Sequence, residues 1–290
     1  MDILIINIHI DWVYRLYEEY IFSIQKFIKK YYNNINVNIK YYDVNLFNEN
    51  KFKLIEFSKY DKIIYTGDLD FFYILINLLS NNIKKLYYIN IEQLSHPSYY
   101  VLFRKINIDI NILDYSEENI IFIKNTYKNY FLIPPYFEFQ DVNILDKTID
   151  ILSLSNNNYR DNFVNKINFD KKYNILFIKD CFGADRDDYF NKTKIYINIH
   201  GSEQHLTMEL IRIVNLIFRK VIIISQNSIY NEILFLKKYL IIHNDVENIA
   251  KCSNEILNNY EYYFELIYAD FNPNEYYKYI MDNMEIFLQS

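Results

Sequence analysis

The chain is expected to be an α/β protein of two Rossmann-like, doubly wound domains facing a central cleft. Three observations predict this. Short Ile-rich runs alternate with segments of helical periodicity almost from end to end. The alternation lapses over residues 136–148, just after Pro134-Pro135, and then restarts. All three glycines, Gly67, Gly183 and Gly201, follow the ends of predicted strands. A chain so poor in glycine keeps it where the backbone turns sharply or meets a ligand. At 290 residues a single core also becomes inefficient. The boundaries read as an N-terminal domain over 1–135, a linker over 136–148 and a second domain over 149–272. A C-terminal helix over 273–290 is expected to pack back on the first domain.

In the first domain, strands are predicted over 3–10, 37–42, 62–66, 86–91, 110–115 and 131–133. Helices fall between them over 12–31, 51–57, 69–79, 99–105 and 117–127. The longest carries an apolar stripe of Tyr17, Tyr20, Ile21, Ile24, Phe27 and Ile28. Ser116 suits an N-cap. In the second domain, strands are predicted over 149–155, 175–179, 195–199, 221–224 and 239–243. Its helices fall near 161, over 206–217, near 229–236 and over 246–262, with a short acidic turn or helix over 185–189 and the last helix of the chain introduced by Pro273. Short βα units of this kind build parallel sheets with right-handed crossovers.

Composition narrows the function. The formal net charge of −6 argues against a general nucleic-acid binder, and no nucleic-acid partner is expected. Cys181 and Cys252 are too few for a disulfide framework and suit a reducing compartment. The start, Met-Asp-Ile-Leu-Ile-Ile-Asn, lacks the basic residues of a signal peptide, and no apolar run approaches the roughly 20 residues of a membrane span. A cytoplasmic protein without a transmembrane segment is expected. The abundance of Ile, Asn, Lys and Tyr reflects an AT-rich coding sequence, so a single Asn, Lys or Tyr carries little signal.

The stretch from Lys192 to Ser225 organises the rest. Ile195, Ile197 and Ile199 form a strand that stops at His200-Gly201, and Leu206, Leu210, Ile213 and Ile217 then recur at helical spacing. In a parallel sheet, ligands sit where strands end and helices begin, which is where His200, Gly201 and Ser202 fall. Glu209 and Arg212 lie three apart on a neighbouring helix face, an arrangement that an exposed ion pair also satisfies.

Several short motifs resemble a known family. They are Asn90-Ile91-Glu92-Gln93, Asp114-Tyr115-Ser116 and Leu132-Ile133-Pro134-Pro135-Tyr136 in the first half. The second half adds Asp150 to Asn156 followed by Tyr159-Arg160, Ile197-Asn198-Ile199-His200, and Met208-Glu209-Leu210-Ile211-Arg212-Ile213. Together they resemble glycosyltransferases of the GT-B fold, specifically the group-1-like (family-4-like) enzymes that use nucleotide-activated sugars. The resemblance implies a sugar moved from a nucleotide-diphosphate sugar, a UDP-sugar first, to an acceptor hydroxyl on a carbohydrate or glycoconjugate, as in glycan biosynthesis. It implies an outcome that is usually retaining, with no cofactor and no bound metal. It also implies a donor-binding set of Arg160, Asn156, Gly201, Ser202, Glu209 and Arg212, with Glu209 on the ribose hydroxyls and Arg160 near the diphosphate. Glu92 and His200 are the catalytic candidates; Gln93 and His96 are expected on the acceptor side. The chain departs from the family at Gly201, where related enzymes often carry a second glutamate.

Two other patterns are read as structural. Asp68-Leu69-Asp70 begins a helix, where acids suit the helix dipole. Asp185, Asp187 and Asp188 lack a His or Cys cluster and are read as a solvated turn. His205 and His243 are read as structural. No glycine-rich dinucleotide or P-loop motif is present. The alternative function is a non-catalytic nucleotide- or sugar-binding protein on the same scaffold, which the residue at Gly201 favours.

Overall fold

The structure is a computed structural model and describes residues 1–9, 11–45, 50–67, 69–98, 100, 110–125, 127, 129–205, 208–228 and 234–290. The chain forms two compact units. The first comprises Met1–Glu92, Val101–Tyr136 and Ile280–Ser290, and the second Gln93–Tyr100 and Phe137–Tyr279.

The first unit is built on a six-stranded sheet of β1 (Asp2–His9), β2 (Asn36–Asp43), β3 (Lys62–Gly67), β4 (Leu86–Asn90), β5 (Asn111–Asp114) and β6 (Asn129–Leu132). Their order is β2-β1-β3-β4-β5-β6 and every pairing is parallel. Ile3, Leu4, Ile5, Ile6 and Ile8 of β1 are all fully buried, as befits a central strand covered on both faces. Helix α1 (Asp11–Tyr31) lays Tyr20, Ile21, Ile24, Phe27 and Ile28 into the core at helical spacing. Short α2 (Asn50–Lys53), α3 (Leu69–Leu79) and α4 (Glu117–Ile123) complete the crossovers. Ser116 caps α4 by accepting from the Asn119 amide at 3.3 Å. Of the helix expected over 99–105 only residue 100 is among the described residues, and Asp68 lies outside them.

The second unit holds β7 (Ile149–Ser155), β8 (Ile175–Lys179), β9 (Thr193–Asn198), β10 (Ile222–Ser225) and β11 (Leu240–Ile242), in the order β11-β10-β9-β7-β8, again all parallel. Its helices are α5 (Asn158–Val164), α6 (Gly183–Lys192), α7 (Leu210–Ile217), α8 (Leu234–Lys237), α9 (Val246–Asn258) and α10 (Tyr260–Tyr268). Helix α11 (Pro273–Gln289) ends the chain, and its residues from Ile280 onward belong to the first unit. There Phe287 meets Tyr87 edge-on at 5.1 Å.

The strands follow the sequence reading to within a residue or two, and the local differences lie among the helices. The single helix expected over 246–262 is two, broken at Asn259 (φ −135°, ψ 41°). The acidic segment at Asp185–Asp188, expected as a turn or short helix, is helix α6. Asp187 there is bound by Arg219 at 2.7 Å and Asn215 at 2.9 Å. The helix expected from residue 206 is described only from Leu210, which frees Glu209 from the helical face assigned to it.

In the second sheet the chain runs from β7 outward to β8, then returns to the other side of β7 for β9. The strand order therefore reverses between β7 and β9. Open α/β sheets bind ligands outside the carboxyl ends of the strands at such a switch point. In the first unit the corresponding reversal lies between β1 and β3.

Gly67 closes β3 with φ +138°, and an added Cβ would run into the Ile8 carbonyl of the neighbouring strand. Gly183 opens α6 with φ +61° but has open space where a Cβ would stand. Gly67→Ala should therefore cost at least ~2 kcal/mol, against ~1 kcal/mol for Gly183→Ala. Urea denaturation of the two variants checks the ranking.

Candidate functional site

The loops that leave β7 and β9 are tied together by side chains the sequence places there. Asn157 caps α5 by accepting from the Arg160 amide at 3.0 Å, and its own amide donates to the Gly201 carbonyl at 3.1 Å. The Ser155 hydroxyl donates to the Asn157 carbonyl at 2.9 Å. Both loops are thereby fixed at the switch point.

Arg160 enters this junction from the first turn of α5 with its guanidinium 4% exposed. Nε donates to the Ile199 carbonyl at 2.8 Å and one terminal nitrogen to Asn156 Oδ1 at 2.6 Å. The other terminal nitrogen pairs with Glu209 Oε1. Arg212, one turn into α7, pairs with Glu209 Oε2 and reaches Asn198 Oδ1 at 3.4 Å. Glu209 can meet both arginines because it precedes the helix with non-helical backbone (φ −79°, ψ 73°). Burial alone would raise its pKa, but the two arginines outweigh that and hold it near 2. The reading of Glu209 and Arg212 as an exposed helical pair does not hold, since the carboxylate is enclosed between two cations.

His200 is 6% exposed. Its amide donates to Gln226 Oε1 at 2.9 Å, and Nε2 lies 3.1 Å from the Asn227 carbonyl. A carbonyl can only accept, so Nε2 carries the proton and Nδ1 presents a lone pair. Among the described residues that Nδ1 has no hydrogen-bond partner. Burial lowers the pKa, keeping the ring neutral. His200 thus presents a buried acceptor nitrogen.

Gly201 and Ser202 form the adjacent turn. Ser202 Oγ lies 2.7 Å from His205 Nδ1, and the His205 ring fills the space a Gly201 Cβ would need, approaching to 3.2 Å. A side chain at 201 would require that ring to move by a few tenths of an ångström. His205 itself packs on His96 with ring centroids 4.7 Å apart and planes inclined by 40°, and burial with that neighbour pushes its pKa down to about 4. The sequence reading left His205 as structural; a lone histidine gives no signal, and only the fold shows its place beside Gly201 and His96. Gln93 and His96 follow β4 in the chain, but residues 93–100 group with the second unit. Gln93 is buried, and its Oε1 lacks a partner among the described residues. A crevice of about 120 Å³ between β7, β8 and α5 borders Arg160, lined also by Ser155, Val164 and Phe177.

Glu92 belongs to the first unit and follows β4. Burial pushes its pKa up to about 7, within reach of proton exchange at neutral pH. Among the described residues, no group of three or more His, Cys, Asp or Glu is placed to hold a metal ion. No helix of the described residues is long and apolar enough to cross a membrane.

No family model matches the sequence. Two proteins of Acanthamoeba polyphaga mimivirus are similar to it. Uncharacterized protein R358 is 28% identical over 213 residues, covering 71% of this chain and 73% of the relative. Uncharacterized protein L140 is 26% identical over 204 residues, covering 65% of this chain and 64% of the relative. Solved structures are similar over the whole chain. The DNA modifying enzyme beta-glucosyltransferase, solved in the presence and absence of uridine diphosphoglucose, matches with a TM-score of 0.63 at 13% identity, covering 100% of this chain and 99% of that one. An alpha-glucosyltransferase in complex with UDP and a 13-mer DNA matches with a TM-score of 0.57 at 10% identity, covering 97% and 98%. The chain has the GT-B fold.

These neighbours correct two expectations. Nucleic acid had been excluded as a partner and a carbohydrate or glycoconjugate acceptor expected, yet chains of this fold include one bound to DNA and one described as DNA modifying. The exclusion rested on the net charge, which sums over the chain and says nothing of a local surface.

The Glu209 pairing sets a pH dependence. A carboxylate lowered from 4.5 to about 2 adds stability that is complete above the unfolded value and lost as pH falls from 4.5 toward 2. Glu209→Gln leaves Arg160 buried without its counter-charge and should cost about 3 kcal/mol at pH 7. The gap between the two proteins should narrow as pH falls below 4.5 and close only near pH 2, as read from urea midpoints at pH 7, 3.5 and 2. A gap that stays constant would mean the pair is not formed.

Proposed function

We propose that the protein transfers a glycosyl group from a nucleoside diphosphate sugar, with a UDP-sugar the first choice, to a hydroxyl of a nucleic acid. The observation that carries the reading is the contact between Arg160 and Glu209 at the β7/β9 switch point. Ribose and diphosphate are adjacent in a nucleotide, so a group for each must lie side by side, as these two do. Glu209 accepts from the vicinal ribose hydroxyls through oxygens already oriented by two arginines. Arg160 offers its remaining donors to the diphosphate, assisted by Asn156 and the Gly201-Ser202 turn. His200 Nδ1 accepts from a donor hydroxyl. The acceptor class follows the neighbours bound to DNA, one of them a 13-mer containing a HMU base.

In the reaction the bond between the sugar C1 and the β-phosphate oxygen breaks, and one forms between C1 and the acceptor oxygen. The acceptor proton goes to Glu92, whose buried carboxylate is poised near 7 to take it. The charge gathering on the nucleoside diphosphate is met by Arg160 and Arg212 rather than by a bound metal, an arrangement of fixed charges that needs no reorganisation.

Two measurements test this. In a thermal-shift assay with UDP and UDP-sugars, the unmutated protein should gain melting temperature, in EDTA as well as in Mn²⁺. Arg160→Lys should lose most of that gain, because a lysine cannot replace a planar fork. With a donor identified, transfer to hydroxyl-bearing DNA oligonucleotides should fall by about 10²–10⁴ in Glu92→Gln while the nucleotide shift persists. Stabilisation by nucleotide without any turnover would favour the non-catalytic binding protein, and no stabilisation by any nucleotide would sink both readings.

A further inference from the structure

The first unit carries a buried polar network that the donor site does not use. Asn90 and Asp114 end neighbouring strands β4 and β5 in direct register. Asp114 is fully buried. Its Oδ2 accepts from Asn90 Nδ2 at 2.6 Å, and its Oδ1 accepts from the Ser116 amide at 2.9 Å and Asn119 Nδ2 at 3.0 Å. Every one of these groups is a donor, so the centre of the network is a carboxylate acting as acceptor. The two asparagines then converge on one peptide. Asn90 Nδ2 donates to the Glu92 carbonyl at 3.0 Å, and Asn119 Nδ2 donates to the same oxygen at 2.8 Å. Asn90 Oδ1 accepts from the Glu92 amide at 3.2 Å. The main chain of Glu92 is held at both its N–H and its C=O, while its carboxylate is bound by none of the described residues.

We infer that Asp114 is a positioning residue for Glu92, fixing the two asparagine side chains that clamp the Glu92 main chain and so aim its free carboxylate. The inference rests on the transferase reading of Glu92, and the chemistry of the network explains why each residue type is needed. Asn90 must present its oxygen to the Glu92 amide and its nitrogen to the Glu92 carbonyl. An amide group is nearly symmetric and would flip readily, and a carboxylate at 114 is what selects the orientation. Burial pushes the Asp114 pKa up to about 7 while its donors pull it down, so the clamp is firmest when the group is ionised. A residue placed only to complete the fold would need neither the converging donors nor the charge.

The test uses Asp114→Asn, which keeps the shape and replaces an acceptor oxygen with a donor facing Asn90 or Asn119. Transfer kcat should drop by about tenfold or more with donor KM within twofold, because the donor groups lie in the other unit. Asn119→Ala should show a smaller drop in the same sense. The double variant should fall no further than Asp114→Asn alone, since both act through one peptide. Amide hydrogen exchange at Glu92 gives a readout independent of turnover. That amide should be protected in the unmutated chain and exchange at least about tenfold faster in Asp114→Asn, with β1 amides unchanged. Unchanged protection at Glu92, or kcat and donor KM that move together, would overturn the inference. An unmutated chain that turns over no donor would overturn the transferase reading instead, leaving exchange at Glu92 to decide whether Asp114 holds that peptide.

Discussion

The enclosure of Glu209 between Arg160 and Arg212 is the constraint on which the second unit's site depends. A guanidinium with almost no solvent contact is costly unless its charge is met and its N–H groups find acceptors. Here Glu209, Asn156 and the Ile199 carbonyl supply them. Those acceptors come from three different pieces of chain: the loop after β7, the end of β9 and the approach to α7. Satisfying one arginine therefore fixes all three relative to one another. Asn157 adds a second tie between the same loops through Gly201. The rigidity of the turn at 200–202 follows from polar satisfaction rather than from apolar packing.

The first unit reaches a comparable rigidity by a different route. Its network has one carboxylate and uncharged donors, so no counter-charge offsets the burial of Asp114. That difference appears in the acid–base behaviour. Glu209, facing cations, stays ionised far into acid, whereas Glu92 and Asp114, facing apolar surroundings and amides, hold their protons to about neutral pH. Carboxylates pushed apart in this way suit different tasks: one is a fixed acceptor at any physiological pH, the other can take and release a proton.

Much of the fold was legible because the central strands are buried on both faces and therefore written largely in Ile, Leu and Val. The run at residues 3–6 or 222–224 admits little else. The site was legible in part. Arg160, His200, Gly201 and Glu209 could be picked out because strand ends in a parallel sheet mark positions, and short motifs filled them. The partners of those residues could not be. Glu209 read as a helical surface position because the apolar spacing extends back to Leu206. The backbone at 209 departs from the helix, and that turns the side chain inward. His205 has no local signature, since its neighbours Ser202 and His96 are brought to it only by the fold. The Asn90–Asp114 pairing depends on the register of two strands separated by a long crossover, which spacing alone does not give.

The net charge of a chain is a sum over distant groups, and the distinction from local charge bears on function. A net −6 describes the field far from the molecule, where screening leaves little of it beyond about 10 Å. At the β7/β9 switch point the count is different. Two arginines stand against one carboxylate, and the neighbouring His200 and His205 are held neutral by burial, so the local balance is one positive charge. An anionic ligand responds to that local field in a partly desolvated crevice more than to distant surface acids. The same logic applies to a polyanionic acceptor, whose binding is decided by the cations along its own track. A chain acidic overall can therefore hold a diphosphate, and its total charge gives no ground for excluding a nucleic acid.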